Sequence, residues 1–383
     1  MRYLTANRIH PVTSPVLTNH ALVLEDDGTI VDLLPASSLD PALLEFFDGD
    51  LIPGFVNTHC HLELSHLKGR FPEKKGLPDF LFRVVDEREA DEEAIQAAMR
   101  LADQQMEAAG IVAVGDICNQ SDSFQIKAAS NLFYHSFIEL LAFNPLRAHK
   151  VLESGNQLLQ QLMESGLYGS IVAHAPYSVS QALLFLITRQ CAAQDVPTSI
   201  HMMESNDENE FFMQGTGLYH RLYSRMNMDI DFFEPEGKTA LSALLPYLYP
   251  ATRTLLVHNT IATASDVQEA IALHPQLYWC FCPNANQYIE SRLPDIPQLM
   301  SAIPEGRITL GTDSLASNHQ LSILAEMTTI RETFPQISFE TILEWATING
   351  ARFLGIDNQF GSFEAGKRPG VILSSGSSIQ RII

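Results

Sequence analysis

The run Leu51-Ile52-Pro53-Gly54-Phe55-Val56-Asn57-Thr58-His59-Cys60-His61 decides how the rest of the chain is read. Leu51–Val56 is apolar and of strand length, and the run closes on His-x-His. On an extended strand residues i and i+2 share a face, so His59 and His61 point the same way while Cys60 faces away. Two imidazoles so placed can bind one metal ion. A pair of satisfied polar residues at a strand end is the plainer alternative.

Outward from this stretch, similar runs recur at Ile111–Val114, Leu132–Ile138, Gly169–Ala173, Thr198–Ile200, Thr254–Val257, Leu277–Phe281 and Arg307–Leu310. Helical patterns lie between them at Glu92–Ala109, which stops at the capping residue Gly110, and at Ser265–Leu273 and Leu321–Thr333. Eight buried strands separated by helices predict an α/β fold, a (β/α)₈ TIM-type barrel, ahead of an open doubly wound sheet. A G-x-G-x-x-G turn and a P-loop are both missing, which weakens nucleotide-phosphate readings. At the N-terminus, Ala21–Leu24 and Thr29–Val31 flank Asp27-Gly28 and read as a β-hairpin. Short strands and turns return after about residue 358. Residues 1–50 and 358–383 are therefore expected to pair into one small β domain, a β-sandwich satellite, around a barrel over 51–357.

The chain has 383 residues, 46% apolar and 18% charged, a globular balance. Its 24 Lys and Arg against 45 Asp and Glu leave a net charge of −21, which repels phosphate backbones and argues against nucleic-acid binding. No run approaches the roughly 18 apolar residues of a membrane span. Met1–Asn7 leads into polar residues and Pro11, so no signal peptide is expected, and five cysteines suit a reducing, cytoplasmic setting.

The chemistry-bearing residues follow the strands. His174 closes the fourth, His201 the fifth with Glu204 three residues on, His258 the sixth, and Thr312-Asp313 the eighth. In a barrel that is the face on which active sites are built. A single histidine after an apolar strand is usually structural; five strand ends carrying His or Asp point to a metal site, since buried ionisable groups are costly unless paired or metal-bound. Imidazoles with one carboxylate suit zinc, or iron or another divalent transition ion, and a bound cation acidifies a coordinated water. Glu204 lies where it can exchange a proton without ligating; outside a metal context it reads as a solvated loop acid beside Asp207, Glu208 and Glu210. Cys280 and Cys282, at i and i+2, read as core packing, and the acids of Asp86–Glu93 as a solvated helix start.

Taken together, these residues resemble the amidohydrolase superfamily, in its branch of single-metal deaminases and chlorohydrolases. The matching segments are Pro53–His61, His174-Ala175-Pro176-Tyr177-Ser178, His201-x-x-Glu204, Val257-His258-Asn259, Cys282-Pro283-Asn284-Ala285-Asn286, Gly311-Thr312-Asp313-Ser314, Ala346–Ala351 and Gly361–Lys367. The resemblance implies one divalent ion, Zn²⁺ or Fe²⁺, held by His59, His61, His201 and Asp313. It implies Glu204 as proton carrier, His258 as the residue orienting the water, Asp313 in moving a second proton, and His174 as a substrate contact. The fourth strand offers no lysine to be carbamylated, which sets the two-metal hydrolases aside. The implied reaction is hydrolytic deamination of a heterocyclic amine, a small molecule. Glu204–Phe212, Gly215-x-Gly217, His61–Ser65 and Gly311–Asn318 look like aminodeoxyfutalosine deaminases, which serve menaquinone synthesis; adenosine and S-adenosylhomocysteine deaminases are close behind. Arg147, beyond the third strand, is the candidate for a carboxylate or ribose contact, with a surface arginine as the alternative. Chlorohydrolysis or amide hydrolysis by the same site is the rival activity, and a non-catalytic binding barrel the rival class. Dimers are common in the family, so a homodimer is compatible. One departure stands out: Gly366-Lys367-Arg368-Pro369-Gly370 replaces the usual Gly-Lys-x-Ala-Asp.

Overall fold

Gly54 is the joint between two sheet systems. Its backbone passes so close to its neighbours that an added Cβ would meet Val112 Cγ1 at 2.3 Å and the Pro369 carbonyl at 2.6 Å. The structure is a computed structural model that describes residues 1–226, 228–376 and 378–383. Before the joint come β1 (Arg2–Ile9), β2 (His20–Leu24), β3 (Ile30–Pro35) and β4 (Leu44–Pro53). After it come β5 (Phe55–Cys60), β6 (Ile111–Cys118), β7 (Phe133–Leu140), β8 (Tyr168–Ala173), β9 (Thr198–Met202), β10 (Thr254–His258), β11 (Leu277–Phe281) and β12 (Ile308–Leu310). The chain ends on β13 (Val371–Ser375) and β14 (Ser378–Arg381).

Strands from both ends form one six-stranded sheet in the order β14-β13-β4-β1-β2-β3, in which β2 and β3 are the expected hairpin. Leu4, Leu22, Leu24, Ile30, Leu51, Phe363 and Val371 pack its own small core. The apolar run Leu51–Val56 is thus two strands and not one. Leu51–Pro53 still belongs to the satellite, where Pro53 pairs with Val371, and the barrel starts at Phe55. The irregular segment Arg368-Pro369-Gly370 docks at the joint, where the Pro369 carbonyl accepts the Gly54 N–H at 3.0 Å.

The remaining strands form two parallel four-stranded halves, β5-β6-β7-β8 and β9-β10-β11-β12. Every residue of β5, β6, β9, β10, β11 and β12 is buried, which is why these strands read as nearly continuous apolar runs. The halves meet at two seams. At one, the His201 N–H donates to the His174 carbonyl at 2.9 Å; at the other, the Thr312 and Asp313 N–H groups both donate to the His59 carbonyl at 3.0 Å. Helices cover the outside. That at Glu92–Ala108 starts on Asp91, whose carboxylate accepts the Ala94 N–H, and two long helices absent from the pattern reading lie at Leu77–Glu87 and Ala148–Glu164.

Two contacts hold the first strand ends in place. Lys127 Nζ stands 2.6 Å from Asp116 Oδ2, both side chains fully buried, and Asp116 Oδ1 accepts the Leu62 N–H at 2.8 Å, just after His61. Replacing Lys127 by Met leaves a buried carboxylate without its counter-charge, and urea unfolding should show a loss of about 3–5 kcal/mol. At Gly311 an added Cβ would meet His59 Cβ at 2.7 Å and Cys280 Sγ at 2.9 Å. Gly311→Ala should therefore force β12 away from β5, lowering the melting temperature and the divalent-metal content of purified protein together; unchanged metal content would show that the seam tolerates the shift.

Candidate metal centre and active site

Barrel closure brings four of the expected residues to one point. His61 Nε2 stands 3.1 Å from His59 Nε2 and 3.3 Å from His201 Nε2. Asp313 Oδ1 stands 3.4 Å from His61 Nε2 and 3.6 Å from His59 Nε2. Donors sharing one ion at about 2.0–2.1 Å would stand roughly 3–3.6 Å apart, so this spacing fits a single small cation. The tautomer of His201 agrees. Its Nδ1 lies 2.7 Å from the His174 carbonyl, which only accepts, so Nδ1 carries the proton and Nε2 turns a bare lone pair to the centre. Cys60, between the two histidines, turns its Sγ to Met106.

Burial sets the charge states. It pushes His61 down to about 3, with His59 adding to the effect, and lowers His201 well below the ordinary imidazole range. Both shifts favour the neutral imidazole of His61 and His201, the form that ligates. Burial opposes the charge of Asp313, but the His59, His61 and His258 imidazoles gathered around it outweigh burial and hold the carboxyl far below its usual range. Asp313 Oδ2 also accepts the Ser317 hydroxyl at 2.5 Å, which leaves Oδ1 for the centre. A divalent metal ion is the group that fits clustered lone pairs beside one carboxylate.

Two further residues flank the donors. His258 Nδ1 lies 2.8 Å from Asn286 Oδ1, while Asn286 Nδ2 donates to the His258 carbonyl at 3.4 Å. The amide oxygen therefore accepts, and His258 Nε2 is left bare, 3.6 Å from Glu204 Oε2. Burial lowers His258 to about 4. Glu204 is raised well above the carboxylate range, first by burial and then by Glu208 and Asp313. Tyr177 donates to Glu204 Oε1 at 3.1 Å, so the other oxygen faces His258.

The centre forms the floor of a cavity of about 470 Å³, a size suited to a small organic ligand. His61, His174, His201, Glu204, His258 and Asp313 line its base, and Leu77, Phe80, Leu81 and Val84 of the helix Leu77–Glu87 make an apolar wall. His174 is half-buried and bonds Ser178 through Nδ1 at 2.6 Å. Arg147 is not brought to the site: it is exposed beside the start of the helix Ala148–Glu164 and is not among the cavity's lining residues. The turn Asn144–Arg147, capped by the Asn144 side chain, carries it outward. Residues the sequence reading passed over include Glu139, Asn119 and Arg88, all lining the cavity. Glu139 had a visible signal, a carboxylate inside the apolar strand Phe133–Leu140; Arg88, at the end of a helix, had none.

The amidohydrolase family profile matches residues 51–377. An adenosine deaminase of Helicobacter pylori is 26% identical over 362 residues, covering 90% of this chain and 86% of that protein. A crystal structure of Helicobacter pylori aminofutalosine deaminase in complex with methylthio-coformycin superposes with a TM-score of 0.85 at 25% identity, covering 97% and 91% of the two chains. Atrazine chlorohydrolase from Arthrobacter aurescens, complexed with zinc, shares the fold with a TM-score of 0.76 at 16% identity, covering 97% and 86%. With a profile match across most of its length and a fold built to the same plan, the chain belongs to the amidohydrolase family.

Proposed function

We propose that the protein is a metal-dependent hydrolytic deaminase of an adenine-type nucleoside, with aminodeoxyfutalosine as the leading substrate and zinc, ahead of Fe²⁺, as the ion. His59, His61, His201 and Asp313 hold the ion in this reading. When bound, the ion supplies a coordinated water acidified to near neutrality. His258, its Nε2 lone pair fixed by Asn286, accepts a hydrogen bond from the nucleophile and orients it. Glu204 carries a proton to the ring nitrogen of the bound base, with Tyr177 keeping its second oxygen turned inward. Asp313 helps the second proton reach the leaving amine, and His174 contacts the base from the cavity wall.

The observation that carries deamination over the rival hydrolyses is Glu204. It is a buried carboxyl at the edge of the donor cluster, 3.6 Å from His258 and bonded to Tyr177. A poor amine leaving group and a ring nitrogen both need protons, whereas chloride departs with less acid assistance. The names of the relatives support the adenine-type ring. A place in menaquinone synthesis follows from aminodeoxyfutalosine as substrate, and buried, unpaired cysteines suit a reducing cytoplasm.

Zinc-loaded protein should release ammonia from one member of a panel of aminodeoxyfutalosine, adenosine, S-adenosylhomocysteine and guanine. No ammonia from any of them, with one ion bound per chain, would overturn the reading and turn attention to halide and amide substrates. Glu204→Gln should keep its ion and lose about 10²–10⁴ in kcat. His201→Ala should fall well below one ion per chain by elemental analysis, since three donors remain around a site built for four.

A further inference from the structure

The two oxygens of Asp313 face different surroundings. Oδ1 turns to the centre, 3.4 Å from His61 Nε2 and 3.6 Å from His59 Nε2. Oδ2 turns to Ser317, whose Oγ stands 2.5 Å away, the short separation of a hydroxyl bonded to an ionised carboxylate. Ser317 is fully buried and is not among the residues lining the cavity. Its own turn offers another acceptor, the Ser314 carbonyl, 3.2 Å from the same Oγ. The hydroxyl could be satisfied there without Asp313. The charged oxygen is nearer, and it takes the proton.

A second hydroxyl stands behind the first. Ser314 Oγ lies 3.0 Å from Ser317 Oγ. Ser317 has one proton and gives it to Asp313, so toward Ser314 it can only accept. Both hydroxyls therefore point toward the carboxylate. The turn that carries them is braced on each side. The Ser317 N–H donates to the Ser314 carbonyl at 3.2 Å, and Asn318 Nδ2 donates to the Thr312 carbonyl at 2.9 Å and to Glu326 Oε1 at 2.8 Å. Asp313 is fixed in turn by its N–H bond to the His59 carbonyl. Neither end of the Ser317–Asp313 bond can drift without breaking another contact.

We propose that Ser317 is a positioning residue that holds Asp313 to one-oxygen ligation of the ion. A carboxylate beside a divalent cation binds through one oxygen or through both, and the choice decides how many other ligands fit. With Oδ2 engaged by Ser317, the protein offers three imidazole nitrogens and a single oxygen, which leaves room for a coordinated water. Without the hydroxyl, Oδ2 is free to turn to the ion. The site then moves toward the higher coordination number that suits manganese better than zinc. The inference rests on the metal reading within the proposed function and deepens it, and it does not depend on which molecule is deaminated.

Metal binding by the full chain, loaded with Co²⁺ or Zn²⁺, tests this without any substrate. Co²⁺ absorbs visible light more weakly as its coordination number rises. Ser317→Ala should therefore show weaker visible bands than wild type at equal metal content. Its Zn²⁺ affinity, read by competition with a chelator, should fall about 10- to 100-fold, the usual loss when the hydrogen-bond partner of a metal ligand is removed. Ser317→Thr keeps the hydroxyl and should restore both the bands and the affinity. Ser314→Ala leaves the Ser317–Asp313 bond in place and should keep the wild-type bands. Unchanged bands in fully loaded Ser317→Ala, with or without a loss of affinity, would mark a hydroxyl that only supports its turn and would overturn the proposal. So would a threonine variant that folds, by the melting temperature of the metal-free protein, yet fails to restore the bands. A wild-type chain that binds no ion defeats the metal reading first, and this one with it. Weakened bands in Ser317→Ala, in a protein that holds one ion per chain yet releases no ammonia, would support this inference while the deaminase reading fails.

Discussion

The carbonyl oxygen of His59 accepts two backbone N–H groups, those of Thr312 and Asp313, and the rest of the site depends on that convergence. To reach it, Asp313 adopts a left-handed backbone with φ of 56°, and Gly311 must lack a Cβ. The side chain of Asn57 reinforces the seam, donating to Thr312 Oγ1 at 2.8 Å and accepting the Thr312 N–H at 3.1 Å. At the opposite seam the His174 carbonyl likewise takes two bonds from His201, one from the backbone and one from the ring. The donor set therefore exists only when the barrel is closed. Any ion it holds stabilises closure in return, which links metal affinity to folding.

Closure alone would leave the strand-end loops free to move, and buried carboxylates fasten them. Asp116 accepts the Leu62 N–H, Glu63 the Asn119 N–H, Glu208 the Met203 N–H, and Glu326 the Asn284 N–H. Each of these N–H groups lies within a few residues of a residue that lines the cavity or holds its floor. Burial raises Glu208 and Glu326 to about 8, so these staples sit near the edge of ionisation and depend on their donors. The strain they restrain is visible in the backbone: Met203, His258 and Asn259 all have positive φ, at strand ends where an L-residue resists it. A site that must point several side chains at one spot stores part of its cost there.

What was legible in the sequence was what strand geometry makes periodic. His59 and His61 share a face because alternate residues must, and the other strand ends are marked by apolar runs that stop abruptly at His or Asp. The strand Leu277–Phe281 coincides with the apolar run read from the sequence. The joint at Gly54 was hidden because the last residues of the satellite and the first of the barrel are equally apolar. Arg147 was misplaced because proximity to a strand end says nothing of direction, and the capped turn Asn144–Arg147 leads away from the cavity. Glu139 was passed over for the opposite reason. One acid inside an apolar strand has no periodic partner, and its orientation is set by Asn119, 20 residues away.

The two kinds of residue also divide the work of the molecule. Strand ends fix the reacting centre, since small displacements there would break both a seam and a ligand. The cavity wall comes mainly from helices outside the barrel, and Leu77, Phe80, Leu81 and Val84 form one apolar face of the segment Leu77–Glu87. An apolar wall above an acceptor-rich floor favours a ligand with a flat polar ring at the centre and a less polar extension toward the opening. Arg88 Nη2 lies 3.4 Å from Glu63 Oε2 at that cavity's edge, so a ligand anion there would have to compete with Glu63 for the guanidinium. Substrate choice in this chain is accordingly carried by residues that can change without disturbing the metal centre, and a shared centre among relatives fixes the class of reaction more tightly than the molecule that undergoes it.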